Sequence, residues 1–239
     1  MNTQAGLTER RLQSLKTLAK RLGVSFKDWS LLHQALTHTS YANEAKNPGI
    51  LHNERLEFLG DAVLELATST YLYKNFPEMP EGEMTKSRAA IVCEVTLAKR
   101  ARELDLGKYL LFGKGELATG GRERASILAD AFESVIGSIY LDQGSEAAFA
   151  YVLERLQDDL CNVRDGQILK DYKTLLQEVV QKHADQTIHY ELVAESGPDH
   201  SKVFEFAVKV NDVVCGIGQG RSKKEAEQHA AQQALEKRK

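Results

Sequence analysis

The chain has 239 residues, 42% of them hydrophobic, enough for one or two domains with packed cores. No apolar run approaches about 18 residues and Met1 to Arg11 has no hydrophobic stretch, so neither a membrane span nor a secretory signal is expected. The formal net charge is −3, and from Lys170 onward 11 basic residues face 11 acidic ones, so any nucleic-acid binding has to come from local clusters.

Cys93, Cys161 and Cys215 are odd in number and far apart, which suits a reducing, cytoplasmic compartment without a disulfide framework. The seven histidines include no Cys/His pair at zinc spacing. His52-Asn53-Glu54 matches the first half of a deaminase signature whose cysteine half is missing.

Taken in order, the first part reads as all-helical. Glu9 to Leu22 carries Leu12, Leu15, Leu18, Ala19 and Leu22 at helical spacing, and Gly23 stops it. Trp29 to Thr37 predicts a short helix, and Tyr41 to Leu51 a polar loop. His52 to Ala67 predicts an amphipathic helix running on to about Phe76, with Leu56, Leu59, Val63, Leu66 and Ala67 on one side. Pro77 to Gly82 breaks it. Glu83 to Leu104 predicts another helix, followed by a glycine-rich loop over Gly113 to Gly121 that is either a surface connection or a substrate contact. Ser126 is placed to cap a helix burying Phe132, Val135, Ile136 and Ile139, and Glu146 to Leu160 predicts a last one.

Residues 163–169 lose this periodicity and predict a linker between an all-helical domain at 1–162 and a second domain at 170–239. There Tyr172 to His183 predicts a helix burying Leu175, Leu176, Val179 and Val180. Ile188 to Glu195, Lys202 to Val210 and Val213 to Gly218 alternate as strands, with turns at Gly197 to His200 and Asn211-Asp212. Ser222 to Lys237 closes as a helix whose Ser222 and Glu225 read as a capping box. The order is α-β-β-β-α. Gly216-x-Gly218-x-Gly220 lacks the βαβ context of a nucleotide loop.

Two acidic patterns carry chemistry. Glu54, Glu57 and Asp61 share one arc of their helix at i, i+3 and i+7, with Arg55 pointing elsewhere and no Lys or Arg in the stripe. Like charges one turn apart repel, and a single-sign stripe beside an apolar one suggests a hard cation, which takes oxygen ligands. A solvated acidic face is the alternative. Asp130 and Glu133 pair on a second helix, with Gly137 one turn on. That glycine makes room either for an ion or for a neighbouring helix. In the second domain, Lys223 and Lys224 add to the positive end of a helix dipole, where phosphates bind.

With these residues in place, HNERLEFLGDAVL, from His52 to Leu64, resembles the signature of bacterial ribonuclease III. KDYKTLLQE and SKKEAEQHAAQQAL resemble the two ends of a double-stranded-RNA-binding domain. The resemblance runs from about Leu12 to Leu235. It implies an all-α catalytic domain that works as a homodimer in the cytoplasm. Such an enzyme uses Mg2+, with Mn2+ able to replace it, to cut both strands of an RNA duplex, and needs no small-molecule cofactor. The signature supplies Glu54, Glu57 and Asp61, the Glu-Gly pair Glu81, and the I-L-A-D-x-x-E segment Asp130 and Glu133. Metal binding then falls to Glu57, Asp130 and Glu133. Asp61 is placed to orient or deprotonate water, with Glu54 and Glu81 holding outer waters or a second ion.

Glu65 lies outside the motif and is expected to be solvated or in a local ion pair. RNA binding carries over to Gln177 and Glu178, to Pro198 and His200, and to Ser222, Lys223 and Lys224. Where many such domains have K-K-x-A-K, this chain has Glu227, which predicts a weaker basic patch. Two other classes compete. A non-catalytic RNA binder would have lost acids, and all six motif positions are filled. A small-nucleotide phosphohydrolase would not need the second domain.

Overall fold

The computed structural model describes residues 7–45, 49–164, 172–181, 186–198 and 202–237, without the side chains of Arg164, Thr174, Leu175, Glu178 and Gln181. The chain divides into two compact units, Met1–Leu169 and Lys170–Lys239.

The first unit is all helical among its described residues. Helix α1 (Glu9–Leu22) opens under Thr8, whose side chain accepts the Arg11 N–H, and ends at Gly23 with φ 72°, a left-handed turn that glycine adopts freely. Then come α2 (Trp29–Ala35), α3 (Thr39–Ala45), α4 (Glu54–Asn75), α5 (Glu81–Ile91), α6 (Glu94–Glu103), α7 (Leu106–Tyr109), α8 (Lys114–Ala118), α9 (Ala125–Gln143), α10 (Ser145–Arg155) and α11 (Gln157–Arg164). Helix α9 is the axis. It packs against α2, α4, α6, α7 and α10 and buries Leu128, Phe132, Val135, Ile136 and Ile139. A helix apolar around most of its circumference has to be covered on most sides.

Several local readings are corrected. The segment expected as a loop from Tyr41 begins inside α3. The helix expected over Glu83 to Leu104 is two, because Cys93 is extended (φ −74°, ψ 155°) and caps α6. The helix expected over Glu146 to Leu160 breaks at Leu156. The cap of α9 is Arg124 and not Ser126. Leu66, expected on the buried side of α4, is 59% exposed. Val163, expected to open the linker, is a core residue of α11.

The half-buried Arg11 guanidinium ties this unit together. It donates to the carbonyls of Tyr109 (2.6 Å) and Leu36 (3.4 Å) and to Nδ1 of His33 (3.2 Å). These anchors flank a parallel bridge between Thr37 and Leu111, which brings His38 and Phe112 side by side (rings 5.4 Å apart).

The second unit has α12 (Tyr172–Gln181), a three-stranded antiparallel sheet in the order β1 (Ile188–Ser196), β2 (Val203–Val210), β3 (Val213–Gly220), and α13 (Lys223–Glu236). Asn211 and Asp212 turn β2 into β3 at φ 48° and 64°, as a two-residue hairpin of this kind requires. Leu176, Val180, Val208, Val210, Ala230, Ala231 and Ala234 form the core. Val179 was expected there and is 37% exposed, while the Leu175 side chain lies outside the described residues.

The β3 glycines serve packing and not a nucleotide. A Cβ on Gly218 would stand 2.1 Å from the Ala230 nitrogen of α13, so helix and strand approach backbone to backbone. Ser222 caps α13 by accepting the Glu225 N–H (3.2 Å), and Glu225 reaches back to the Arg221 N–H (2.6 Å). That reciprocal bond falls one residue earlier than in an ideal capping box. Among the described residues no helix is long and apolar enough to cross a membrane.

Candidate active site

Two glycines set the site by letting α4 and α9 touch. A Cβ on Gly60 would lie 1.8 Å from the Glu133 carbonyl oxygen, and one on Gly137 would lie 2.3 Å from that of Leu56. The close helix is therefore what Gly137 accommodates. The start of α4 is pinned to α9 by the Ser134 hydroxyl, which donates to the Asn53 carbonyl (3.2 Å). With the backbones in contact, Glu57, one turn before Gly60, meets Glu133 and Asp130, one and two turns before Gly137.

Glu57, Asp130 and Glu133 each offer a carboxylate oxygen within 4.8 Å of the others, and all three are half-buried. Among the described residues this is the group of acids, histidines or cysteines able to hold a metal ion. Burial is the largest cause that raises the pKa of each, since it disfavours charge. Glu133 is pushed up to about 8, first by burial and then by Asp61, Asp130, Glu57 and Glu65. Glu57 is raised by burial and by Asp130, Glu54 and Asp61. Asp130 is raised by burial and by Glu94, against which His38 acts. Carboxylates this crowded cannot all ionise cheaply without a countercharge. A hard cation that takes oxygen ligands fits the set.

Of the remaining expected acids, Asp61 is exposed at the rim and its charge reaches both Glu57 and Glu133. Glu54 is 57% exposed and lies 3.8 Å from Nδ1 of His52. Glu81 is not brought into the group. It opens α5, accepts from the Thr85 hydroxyl (2.9 Å), and lines a depression with Ser69, Leu72, Tyr73, Met84 and Arg88. Glu65, expected to be solvated or ion-paired, is half-buried and its charge reaches Glu133.

The sequence reading missed Glu94, Glu116, Arg124 and His38, whose charges reach this neighbourhood. They come from separate elements, and no spacing along the chain links them to the two acidic motifs. The glycine-rich stretch folds around one of them. Arg124 pairs with Glu116 (2.7 Å), while Glu44 accepts the N–H groups of Lys114 and Gly115 (2.8 and 3.1 Å), so α8 is tied at both ends.

In the second unit, Gln177 is exposed on α12 and lines a hollow with Lys173, Val180 and the segment from Gln186 to Tyr190. Glu178 belongs to the same helix, though its side chain lies outside the described residues, as does His200 altogether. Pro198 is exposed just after β1. Ser222 caps α13, and Lys223 and Lys224 are its first two residues, both exposed. The Lys223 ammonium also lies over the Phe204 ring (5.9 Å). Glu227 is engaged inside the unit, where it binds Lys173 (2.6 Å) and links α12 to α13.

Residues 28–160 match the profile of the family described as Ribonuclease-III-like, and residues 172–238 match that of the double-stranded RNA binding motif. A helical nuclease unit followed by a duplex-RNA-binding unit defines a double-strand-specific endoribonuclease. Ribonuclease 3 of Pelotomaculum thermopropionicum is 52% identical over 223 residues, 93% of this chain and 92% of that protein. Ribonuclease 3 of Oceanobacillus iheyensis is 52% identical over 93% of this chain and 97% of its own length. Among solved structures, the nuclease domain of ribonuclease III from Campylobacter jejuni is 42% identical, with a TM-score of 0.56 and coverage of 61% of this chain and 97% of that one. The chain belongs to the ribonuclease III family.

Proposed function

We propose that this chain is a Mg2+-dependent endoribonuclease that acts as a cytoplasmic homodimer. It hydrolyses both strands of duplex RNA, leaving 5′-phosphate and 3′-hydroxyl ends with short 3′ overhangs, and its substrates include ribosomal RNA precursors and other structured transcripts. The observation that carries this reading is the convergence of Glu57, Asp130 and Glu133 from two helices held in backbone contact.

Those three residues hold the metal, with Mn2+ able to replace Mg2+. The cation they would hold supplies neutralisation of phosphate charge and activation of a water. Asp61, exposed at the rim, orients that water and accepts its proton. Glu54 holds outer waters, and so does Glu81 if RNA or a second chain brings it near.

The second unit anchors the duplex. Double-stranded RNA hides its base edges in a deep groove, so a binder reads 2′-hydroxyls and phosphates across the minor groove. Gln177, Glu178, Pro198 and His200 serve the minor-groove contacts. Lys223 and Lys224, at a helix N-terminus capped by Ser222, serve the intervening phosphates.

The homodimer is supported by the outward face of α4, where Phe58 is 81% exposed, Leu66 59% and Tyr73 75%. Large apolar side chains aligned on one exposed helix face mark an interaction surface. The Campylobacter jejuni nuclease domain is itself described as having a region involved in dimer formation.

The test is incubation of the protein with a long RNA duplex, with and without Mg2+. Cleavage is expected only with the metal. Glu133→Ala should abolish it while a gel shift in Ca2+ retains RNA binding. Loss of binding equal to loss of cleavage would overturn the assignment of Glu133 to the metal.

A further inference from the structure

The cluster of Glu57, Asp130 and Glu133 contains only acids, yet a neutral donor is held near it, since the carbonyl of Thr37, the residue before His38, accepts the Asn53 N–H (2.9 Å) where α4 begins against α9. His38 opens the turn into α3, and its own N–H donates to the Leu111 carbonyl (3.0 Å). Its ring is locked on one edge. Nδ1 lies 3.2 Å from the backbone nitrogen of Ser40 and 2.8 Å from the Ser40 hydroxyl. That hydroxyl in turn accepts the Gly113 N–H (3.0 Å). A backbone N–H can only donate, so Nδ1 accepts, and the neutral ring carries its proton on Nε2.

Phe112 packs against the ring at 5.4 Å. The charged groups that face it come from three sides: Glu116 and Arg124 from the glycine-rich segment, Asp130 from α9, and Glu54 from α4. Burial, the largest effect, lowers the pKa of His38, in the same direction as the neutral ring that the Ser40 N–H requires. Among the described residues Nε2 has no hydrogen-bond partner, while Nδ1 has two. A half-buried ring held this firmly at one nitrogen presents the other as a ready donor.

Resting on the endonuclease reading above, we propose that His38 is a substrate-contacting residue, its Nε2–H donating to an oxygen of the RNA strand beside the scissile bond. A phosphate oxygen and a 2′-hydroxyl offer the same acceptor chemistry. A neutral donor suits this place because a cation there would compete with the metal for the carboxylates. It fixes the strand without cancelling the charge the metal needs.

The test uses the full-length protein and two variants. In His38→Asn the amide oxygen takes the place of Nδ1, keeping the Ser40 contacts and removing the Nε2 donor. In His38→Gln the amide nitrogen restores a donor near Nε2. The expected result is a fall of about tenfold in kcat for His38→Asn, the scale of one lost hydrogen bond in a closed site. His38→Gln should recover most of it, and Mn2+ affinity measured by calorimetry should stay unchanged in both.

Duplexes carrying a single 2′-deoxy or phosphorothioate substitution beside the cut separate the two acceptors. The substitution that removes the partner should slow the wild-type protein and leave His38→Asn no slower. The inference is overturned if His38→Asn cleaves at the wild-type rate, if its loss follows a loss of Mn2+ affinity, or if neither substitution couples to the variant. Wild-type protein that cleaves no duplex at all would instead sink the endonuclease reading.

Discussion

Glu133 shows what burial and crowding do to one side chain. Its carboxyl is raised to about 8, so the folded protein holds this proton more tightly than the unfolded chain does. A raised carboxyl costs the fold nothing below its ordinary value. The cost grows as pH climbs from that value towards 8 and is fully present above it. Metal-free protein should therefore melt at progressively lower temperature between about pH 5 and pH 8. Mg2+ should return most of the loss at pH 8, because the cation replaces the missing proton. Differential scanning calorimetry across that range checks it, with Glu133→Gln expected to flatten the slope. An unchanged slope in that variant would place the titration elsewhere. At this scale the sequence was informative where acids sit at fixed spacing on one helix, as Glu57 and Asp61 do. It was silent on Glu94 and Glu116, whose fields reach the site only after distant segments have packed together. It gave no sign that Glu65 is half-buried with a charge that reaches Glu133.

An element-level effect turns on the contact between α4 and α9. A methyl group at Gly137 would press on the Leu56 carbonyl, a backbone atom that cannot swing aside as a flexible side chain can. Overpacking of this kind costs about 1–3 kcal/mol, and relief by separating the helices would also pull Glu57 away from Glu133. Gly137→Ala is expected to lower the urea midpoint and weaken Mn2+ binding together. Gly82→Ala, inside α5 where nothing lies within 4 Å, should leave Mn2+ binding unchanged and lower no midpoint, since alanine favours the helix over glycine. Periodicity located α1, α4 and α9 well because each has a long apolar stripe. It failed between Ile91 and Glu94, where the chain leaves the helix without any glycine or proline to announce it. It also failed at Leu66, since α4 is apolar on its buried side and again at Phe58, Leu66 and Tyr73 on its outer side. A pattern of apolar residues does not say whether a face is covered by its own chain or by another.

At the scale of the whole molecule, the two units and the proposed pairing of two chains make separate expectations. A chain ending at Val163 keeps the whole helical core but loses Lys223 and Lys224. Its RNA affinity should be lower than that of the full chain and should fall less steeply with salt, since few phosphate contacts remain to set the salt-dependent term. Filter binding at several salt concentrations measures this, and affinity equal to the full chain would remove the second unit as the anchor. The two-unit organisation was legible because the hydrophobic period changes from helical to alternating after Lys170. The proposed pairing of chains is not legible in this way, since nothing in the sequence tells Phe58 from a core residue, and its 81% exposure decides that its own chain leaves it uncovered. The dimer itself rests on counting. One chain carries one set of Glu57, Asp130 and Glu133, while cutting both strands of a duplex in one encounter takes two. A two-fold axis presents two sets in opposite directions, matching antiparallel strands. Mixing wild-type chains with Glu133→Ala chains should thus yield hybrids that nick one strand and leave the other whole. Phe58→Asp should shift the protein towards monomer in sedimentation at micromolar concentration and suppress double-strand cleavage with it. A wild-type protein that sediments as a monomer without RNA, together with a mixture in which nicks never accumulate, would leave each chain acting alone.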